Sequence, residues 1–271
     1  MPNHFDLSGK TALVTGAGGI LGRGFCTVLA EYGASVALVD VNMEIVEKAC
    51  QEIRKDIPDA TLLPLVCDVA DSNSVASMVS TAIEAFGSIE ILLNNAASKA
   101  EDLNAFFAPF EKYDPELWRK IMAVNIDGVF LVAQAVGAQM VKQGSGGSII
   151  NTASIYGVLA PDQRIYEGSE YMGVGINTPA VYSASKAAVI GLSNYLSTYW
   201  SEHNIRVNVL SPGGVESGQN ETFKQRYSAR VPLGRMCKDN ELHGALLFLA
   251  SDASSYFTGQ NVIVDGGLSA W

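Results

Sequence analysis

Apolar residues fall along this chain in two alternating patterns. Short continuous runs, bounded by glycine, aspartate or polar residues, predict buried strands near 10–15, 35–39, 61–66, 89–94, 147–153, 205–210 and 261–264. Between them, apolar positions recurring at helical spacing predict helices near 20–32, 42–55, 73–86, 115–143, 180–202 and 239–250. Such alternation implies an α/β fold, a doubly wound parallel sheet with helices on both faces and right-handed crossovers. No linker, repeat or low-complexity tract divides the chain, so residues 1–271 are expected to form a single domain.

Composition narrows the partners. Hydrophobic residues make up 48% of the chain and charged ones 17%, ample for a large core. The net charge of −10 argues against nucleic acid or an anionic membrane as partner, and leaves a small-molecule substrate as the expectation. No stretch reads as long and apolar enough to span a bilayer, and the N-terminus lacks the apolar core of a signal peptide. Cys26, Cys50, Cys67 and Cys237 are scattered without C-x-x-C spacing, three of them in apolar patterns. Buried thiols in a reducing cytoplasm are therefore expected. His4, His203 and His243 share no ligand motif, and no metal site is expected.

Two local patterns carry chemistry. The first strand runs into Gly16-Ala17-Gly18-Gly19-Ile20-Leu21-Gly22, a helix follows, and the second strand ends in Asp40, 18 positions past Gly22 (22 to 40). Strand, glycine turn, helix, strand and terminal acid form a dinucleotide-binding fingerprint. The glycines admit a pyrophosphate to the backbone N–H groups of the helix start. A carboxylate at 40 accepts hydrogen bonds from ribose hydroxyls and repels a 2′-phosphate, which predicts NAD. The second pattern is Tyr182 and Lys186, four apart at the start of a predicted helix, so that phenol and ammonium share one face. A cation beside a phenol favours phenolate, and such a tyrosine can exchange a proton with an alcohol or carbonyl.

With these in place, the chain resembles the short-chain dehydrogenase/reductase family over essentially its whole length. Thr15 to Gly22 matches the cofactor turn, and Cys67-Asp68-Val69 the adenine-side pair. Asn94-Asn95-Ala96-Ala97 matches the Asn-Asn-Ala-Gly segment, with Ala97 in place of glycine. Asn125, Ser154, Tyr182 and Lys186 match the catalytic set, Ser211–Ser217 the segment passing the nicotinamide, and Asp265-Gly266-Gly267 the C-terminal signature. The resemblance implies a Rossmann-like single domain that moves a hydride between NAD and a secondary alcohol or carbonyl of a small polar or sugar-like substrate. It implies Tyr182 as general acid–base, Ser154 bonding the reacting oxygen, and Lys186 holding the nicotinamide ribose. Asn125 would fix a helix irregularity and a water leading protons from Lys186 to solvent. Cofactor contacts are implied at Gly16, Gly19, Ile20, Leu21, Gly22, Asp40, Val41, Asp68, Val69, Asn95, Ala96, Ala97, Pro212, Gly213, Val215 and Ser217, besides Tyr182 and Lys186. Family members pair through the 180–202 helix and the one before it, implying a homodimer or homotetramer.

Two departures keep alternatives open. Gly16, Gly19 and Gly22 give the T-G-x-x-G-x-x-G spacing of the sugar-nucleotide epimerase branch, which holds NAD permanently; the chain length opposes that assignment. A non-catalytic NAD-sensing protein is a further alternative, opposed by the intact catalytic set. The other departure is an insertion of about Asp162–Thr178, which sets Ser154 and Tyr182 28 positions apart (154 to 182). It is expected to lie over the substrate. So are Ser98–Pro115, with Phe106, Phe107, Phe110 and Tyr113, and Glu216–Arg230, with Asn220, Lys224, Arg226 and Arg230. Together with Arg164, Tyr166, Glu167 and Tyr171, these groups suit a polyhydroxylated or acidic substrate. The insertion and the ending Asp265–Trp271 are also similar to dehydrogenases of flagellin-glycan and nonulosonic-acid sugar pathways.

Overall fold

The apolar runs become strands buried on both faces. The computed structural model describes residues 3–271. Its strands and helices follow in the order β1 (Thr11–Thr15), α1 (Ile20–Glu31), β2 (Ser35–Asp40), α2 (Met43–Asp56), β3 (Leu62–Val66), α3 (Ser72–Phe86), β4 (Ile91–Asn94), α4 (Leu103–Phe106) and α5 (Pro115–Met122). A π-helical turn (Ala123–Gly128) then leads into α6 (Val129–Gln143) and β5 (Gly147–Thr152). After them come β6 (Glu170–Tyr171), β7 (Val174–Gly175), α7 (Ala180–Tyr199), β8 (Ile205–Pro212), α8 (Glu221–Ser228), α9 (His243–Ala250) and β9 (Asn261–Val264).

Seven strands form one sheet in the order β3-β2-β1-β4-β5-β8-β9, every neighbouring pair parallel. One face packs a core around Phe25, Leu29, Leu38 and Leu246; the other packs Leu13, Leu92, Val132, Met140 and Trp200. Caps set the helix starts: Asn42 accepts from the amides of Glu44 and Ile45, Asp71 from Asn73, and Asp114, just before Pro115, from Glu116. The strand order reverses between β1 and β4, and a crevice opens there beyond the carboxyl ends of the strands.

The structure corrects several sequence boundaries. The expected helix over 115–143 is interrupted by the π-turn, which centres on Asn125. Gly128 closes that turn against Val69; a Cβ there would lie 2.7 Å from Val69 Cγ2. The same helix, taken as Pro115–Gln143, is long and apolar enough to cross a membrane by length and composition, contrary to expectation (mean hydropathy 1.7). Its apolarity has a core role: Val132, Ala133, Val136 and Met140 are buried against the sheet and α3, and Val129 packs with Val189 and Val209. The helix expected at 239–250 begins as a 3-10 turn over Asp239–Leu242. The hairpin β6–β7 and helix α8 lie in segments expected to be loops.

Candidate active site

The turn after β1 is locked to the end of β4. The Thr15 hydroxyl accepts from the amides of Asn95 and Ala96 (both 3.0 Å), and Asn95 Nδ2 donates to the carbonyls of Thr15 and Gly16 (both 3.3 Å). Gly16 has φ +64°, and a Cβ there would sit 2.8 Å from Ala96 Cα. At Gly22 a Cβ would reach 2.0 Å from the Gly16 carbonyl oxygen, so α1 starts directly on the turn. Gly19, Ile20 and Leu21 form that start. Unlike α2, α3 and α5, α1 has no side-chain cap, and its first turn holds no acid. Its first amides are left to an external anion. The Asp40 carboxylate accepts from Gly18 N (3.1 Å) with one oxygen and Val41 N (2.8 Å) with the other. Asp68 follows β3, exposed, accepting from Ala70 N; Val69 beside it is buried. Uncapped amides, glycines no side chain can replace and a carboxylate fixed at the end of β2 fit a dinucleotide.

The catalytic candidates meet one strand further along. Ser154 leaves β5, and its hydroxyl accepts from Tyr156 N (3.2 Å). Tyr182 and Lys186 occupy the first two turns of α7. Lys186 Nζ lies 6.0 Å from the Tyr182 ring centroid and donates to the Thr152 carbonyl (2.9 Å). Lys186 is 3% exposed and has no carboxylate partner, so burial pulls its pKa down to about 8. Burial pushes the Tyr182 phenol up, while the Ser154 hydroxyl pulls it back. Asn125 is fully buried; its Oδ1 accepts from Ser98 N (2.7 Å) and its Nδ2 donates to Ser185 Oγ (3.3 Å). That side chain therefore braces the π-turn against α7 and the loop after β4.

One cleft of about 390 Å³ takes in Ser154, Tyr182 and Lys186, together with Ile20, Leu21, Asn95, Ala97, Pro212, Gly213, Val215 and Ser217. Gly16, Gly19, Gly22, Asp40, Val41, Asp68, Val69, Ala96 and Asn125 stand outside its walls. They lie on the cradle or behind it.

The outer wall is built by the three loops. The insertion is not a free flap. Asp162 accepts from Arg164 (2.7 Å) and from Arg230 (2.6 Å), which holds the carboxyl far below its usual range. Arg226 donates to the Arg164 carbonyl and to Glu167, and Asn177 donates to the Phe107 carbonyl (2.7 Å). Tyr166 pairs its hydroxyl with Thr178 and stacks on Phe223, which stacks on Tyr227. The Tyr227 hydroxyl accepts from Gly214 N (2.5 Å). The aromatic column thus ties the insertion to the segment after β8.

This corrects the expectation that the loop cations face the substrate. Arg164, Arg226 and Arg230 are paired with Asp162 or Glu167, and Lys224 with Glu216 and Glu221. Helix α8 was hidden because only Phe223 and Tyr227, four apart, break its polarity. Gly157 was also overlooked: its turn touches α7, where a Cβ would fall 2.8 Å from the Lys186 carbonyl. Lys99 and Asn177 lie in two of the segments expected over the substrate and line the cleft there; Tyr156 lines it from outside them.

Comparison with known proteins agrees with this geometry. A family model described as short chain dehydrogenase matches residues 10–228. A 2-dehydro-3-deoxy-D-gluconate 5-dehydrogenase of Dickeya dadantii (strain 3937) is 35% identical over 274 residues, covering 98% of this chain and 97% of the relative. A D-threitol dehydrogenase of Mycolicibacterium smegmatis (strain ATCC 700084 / mc(2)155) is 35% identical over 268 residues, covering 97% and 94%. The crystal structure of a gluconate 5-dehydrogenase from Burkholderia cenocepacia J2315, in complex with NADP and tartrate, superposes with a TM-score of 0.86. Its identity is 34%, and 99% of this chain and 98% of that one are covered.

Proposed function

Because the chain belongs to the short-chain dehydrogenase family, we propose that it interconverts a secondary alcohol and a carbonyl on a small sugar-like or polyol substrate, with NAD as cofactor. The carrying observation is the cleft. It gathers Ser154, Tyr182 and Lys186 in one cavity with Tyr156, Tyr166, Tyr171, Asn177, Thr178 and Gln219, side chains that carry hydroxyls and amides. NAD, when bound, supplies the acceptor or donor of the hydride. Gly16, Gly19, Ile20, Leu21 and Gly22 hold its pyrophosphate, Asp40 and Val41 the adenosine ribose, and Asp68 and Val69 the adenine. Asn95, Ala96 and Ala97 would complete the cofactor cradle, and Pro212, Gly213, Val215 and Ser217 would pass the nicotinamide.

The protein's own part is the proton. Tyr182 takes it from the alcohol in oxidation and returns it to the carbonyl oxygen in reduction. Ser154 donates a hydrogen bond to that oxygen as its charge changes. Lys186, anchored on Thr152, supplies the nearby positive charge that offsets the burial of the phenol, and Asn125 keeps α7 in place. The test is NADH formation with a panel of polyols and sugar acids. Tightly bound NAD in the purified protein, with no net turnover of free cofactor, would favour the epimerase reading instead.

NAD over NADP rests on Asp40, since no cation follows at Val41, Asn42 or Met43 to receive a 2′-phosphate. Asp40→Ala is expected to narrow the kcat/KM gap between the two cofactors; wild-type kinetics equal on both would sink this preference. Replacing Asp162–Thr178 by a short Gly-Ser connection is expected to raise the substrate KM roughly tenfold or more, through the loss of two or three hydrogen-bonding groups. NADH titration should show a smaller change, because Asp40 and Asp68 lie out of the insertion's reach. Equal losses in both measurements would count against a substrate role for the insertion.

Assembly as a homodimer or homotetramer is supported by exposed aromatics on the two long helices: Phe130 on α6, and Tyr195 stacked on Tyr199 along α7. A monomer that stays active in sedimentation at micromolar concentration would contradict it. A cytoplasmic setting is supported by four free thiols, three of them buried. The narrower likeness to nonulosonic-acid pathway enzymes rests on the insertion and the C-terminal ending alone, and the named relatives are sugar-acid and polyol dehydrogenases.

A further inference from the structure

Polyol and sugar-acid substrates differ by one charge, and the ionisable groups of the cleft are unbalanced in a way that chooses between them. Among the described residues its walls carry two cations, Lys99 and Lys186, and no carboxylate, in a chain whose net charge is −10. Lys186 belongs to the catalytic pair, where it donates to the Thr152 carbonyl beside Tyr182. Lys99 stands on the outer wall with Phe106, Phe107 and Asn177. Its Nζ touches the Tyr171 hydroxyl (3.3 Å) and lies 4.6 Å from the centre of that ring. Neither contact neutralises an ammonium. The basic residues of α8 and of the insertion all have acidic partners, so among the described residues Lys99 is the one cleft-lining cation without a catalytic duty.

We infer that Lys99, held by Tyr171 of the insertion, binds the carboxylate of a polyhydroxy acid whose alcohol or carbonyl meets Ser154 and Tyr182. This deepens the proposed function and rests on it. A protein of net charge −10 repels anions over most of its surface, so an anionic substrate needs a local cation at the entrance. Lys99 is exposed at the mouth of a cleft that Phe106 and Phe107 also line, so an incoming anion meets it first. A single ammonium with one neighbouring phenol matches the single charge of a carboxylate. A phosphate dianion is better met by the guanidinium forks that this site has paired with acids. Tyr171 gives the insertion a part in this site: its hydroxyl and ring restrict the rotamers of an exposed lysine.

The experiment compares kcat/KM for four- to six-carbon aldonates, the matching neutral alditols and sugar phosphates, in wild type, Lys99→Met and Lys99→Arg. The wild type is expected to prefer the acid over its alditol by tenfold or more. Lys99→Met should bring that ratio near one through KM, and Lys99→Arg should restore most of it. A wild-type preference for alditols, or a ratio unmoved in Lys99→Met, overturns the inference while leaving a polyol dehydrogenase standing. Preference for the phosphates overturns the carboxylate assignment. A second measurement does not depend on turnover: D-gluconate should raise the melting temperature of the NADH-bound wild type and not that of Lys99→Met. Equal shifts in both, or none in the wild type, overturn it as well. Failure of every compound to turn over, with gluconate still stabilising only the wild type, would remove the proposed reaction and keep the carboxylate site.

Discussion

Tyr182→Phe is expected to lose turnover by roughly 10²–10⁴-fold, the usual contribution of one positioned acid–base group. The substitution removes a single hydroxyl from a ring whose packing at the start of α7 is retained. Circular dichroism and NADH affinity should therefore stay near wild type while kcat collapses. The phenol is the cleft hydroxyl that sits on the same helix face as Lys186, and Ser154 reaches it. Near-normal turnover in the variant would mean that another group, with Tyr166 the next in line, moves the proton.

Lys186→Met is expected to abolish most activity and yet raise stability at neutral pH. Lys186 has its pKa pulled from 10.5 to about 8 by burial. Between those values the unfolded chain binds a proton that the folded chain does not, so wild-type stability rises with pH across that window and is lowest below it. At about 1.4 kcal/mol per pKa unit, carrying the buried ammonium costs about 3 kcal/mol at pH 7. Methionine fills much the same volume without a charge and gives up the hydrogen bond to the Thr152 carbonyl, worth about 1 kcal/mol. The net of about 2 kcal/mol corresponds to a melting temperature about 4–8 °C higher at pH 7 without added dinucleotide. The difference should close towards pH 10.5. A variant less stable than wild type at pH 7, or a difference independent of pH, would show that the lysine is carried at no cost.

These two residues also mark where the sequence sufficed. Tyr182 and Lys186 are four apart on one helix, so their shared face follows from helical periodicity alone. The cradle is equally local: Gly16, Gly22 and Asp40 sit on one strand–helix–strand unit, and their spacing states what they surround. The doubly wound sheet was legible for the same reason, because strands buried on both faces must read as uninterrupted apolar runs.

What only the tertiary structure decided is what lies far apart in the chain and has no period. Asn125 sits in a π-turn because a buried amide ties Ser98 to Ser185, three segments that meet only in space. The cations of the substrate loops looked available in sequence; folding brings Asp162 against Arg164 and Arg230, and Glu216 against Lys224, and spends them. Lys99 acquires its place because the insertion folds back to lay Tyr171 beside it, across 72 positions. Local spacing determines a helix face or a glycine turn. Which charges remain unpaired in a cleft is a sum over every loop that reaches it, and no short stretch of sequence contains that sum.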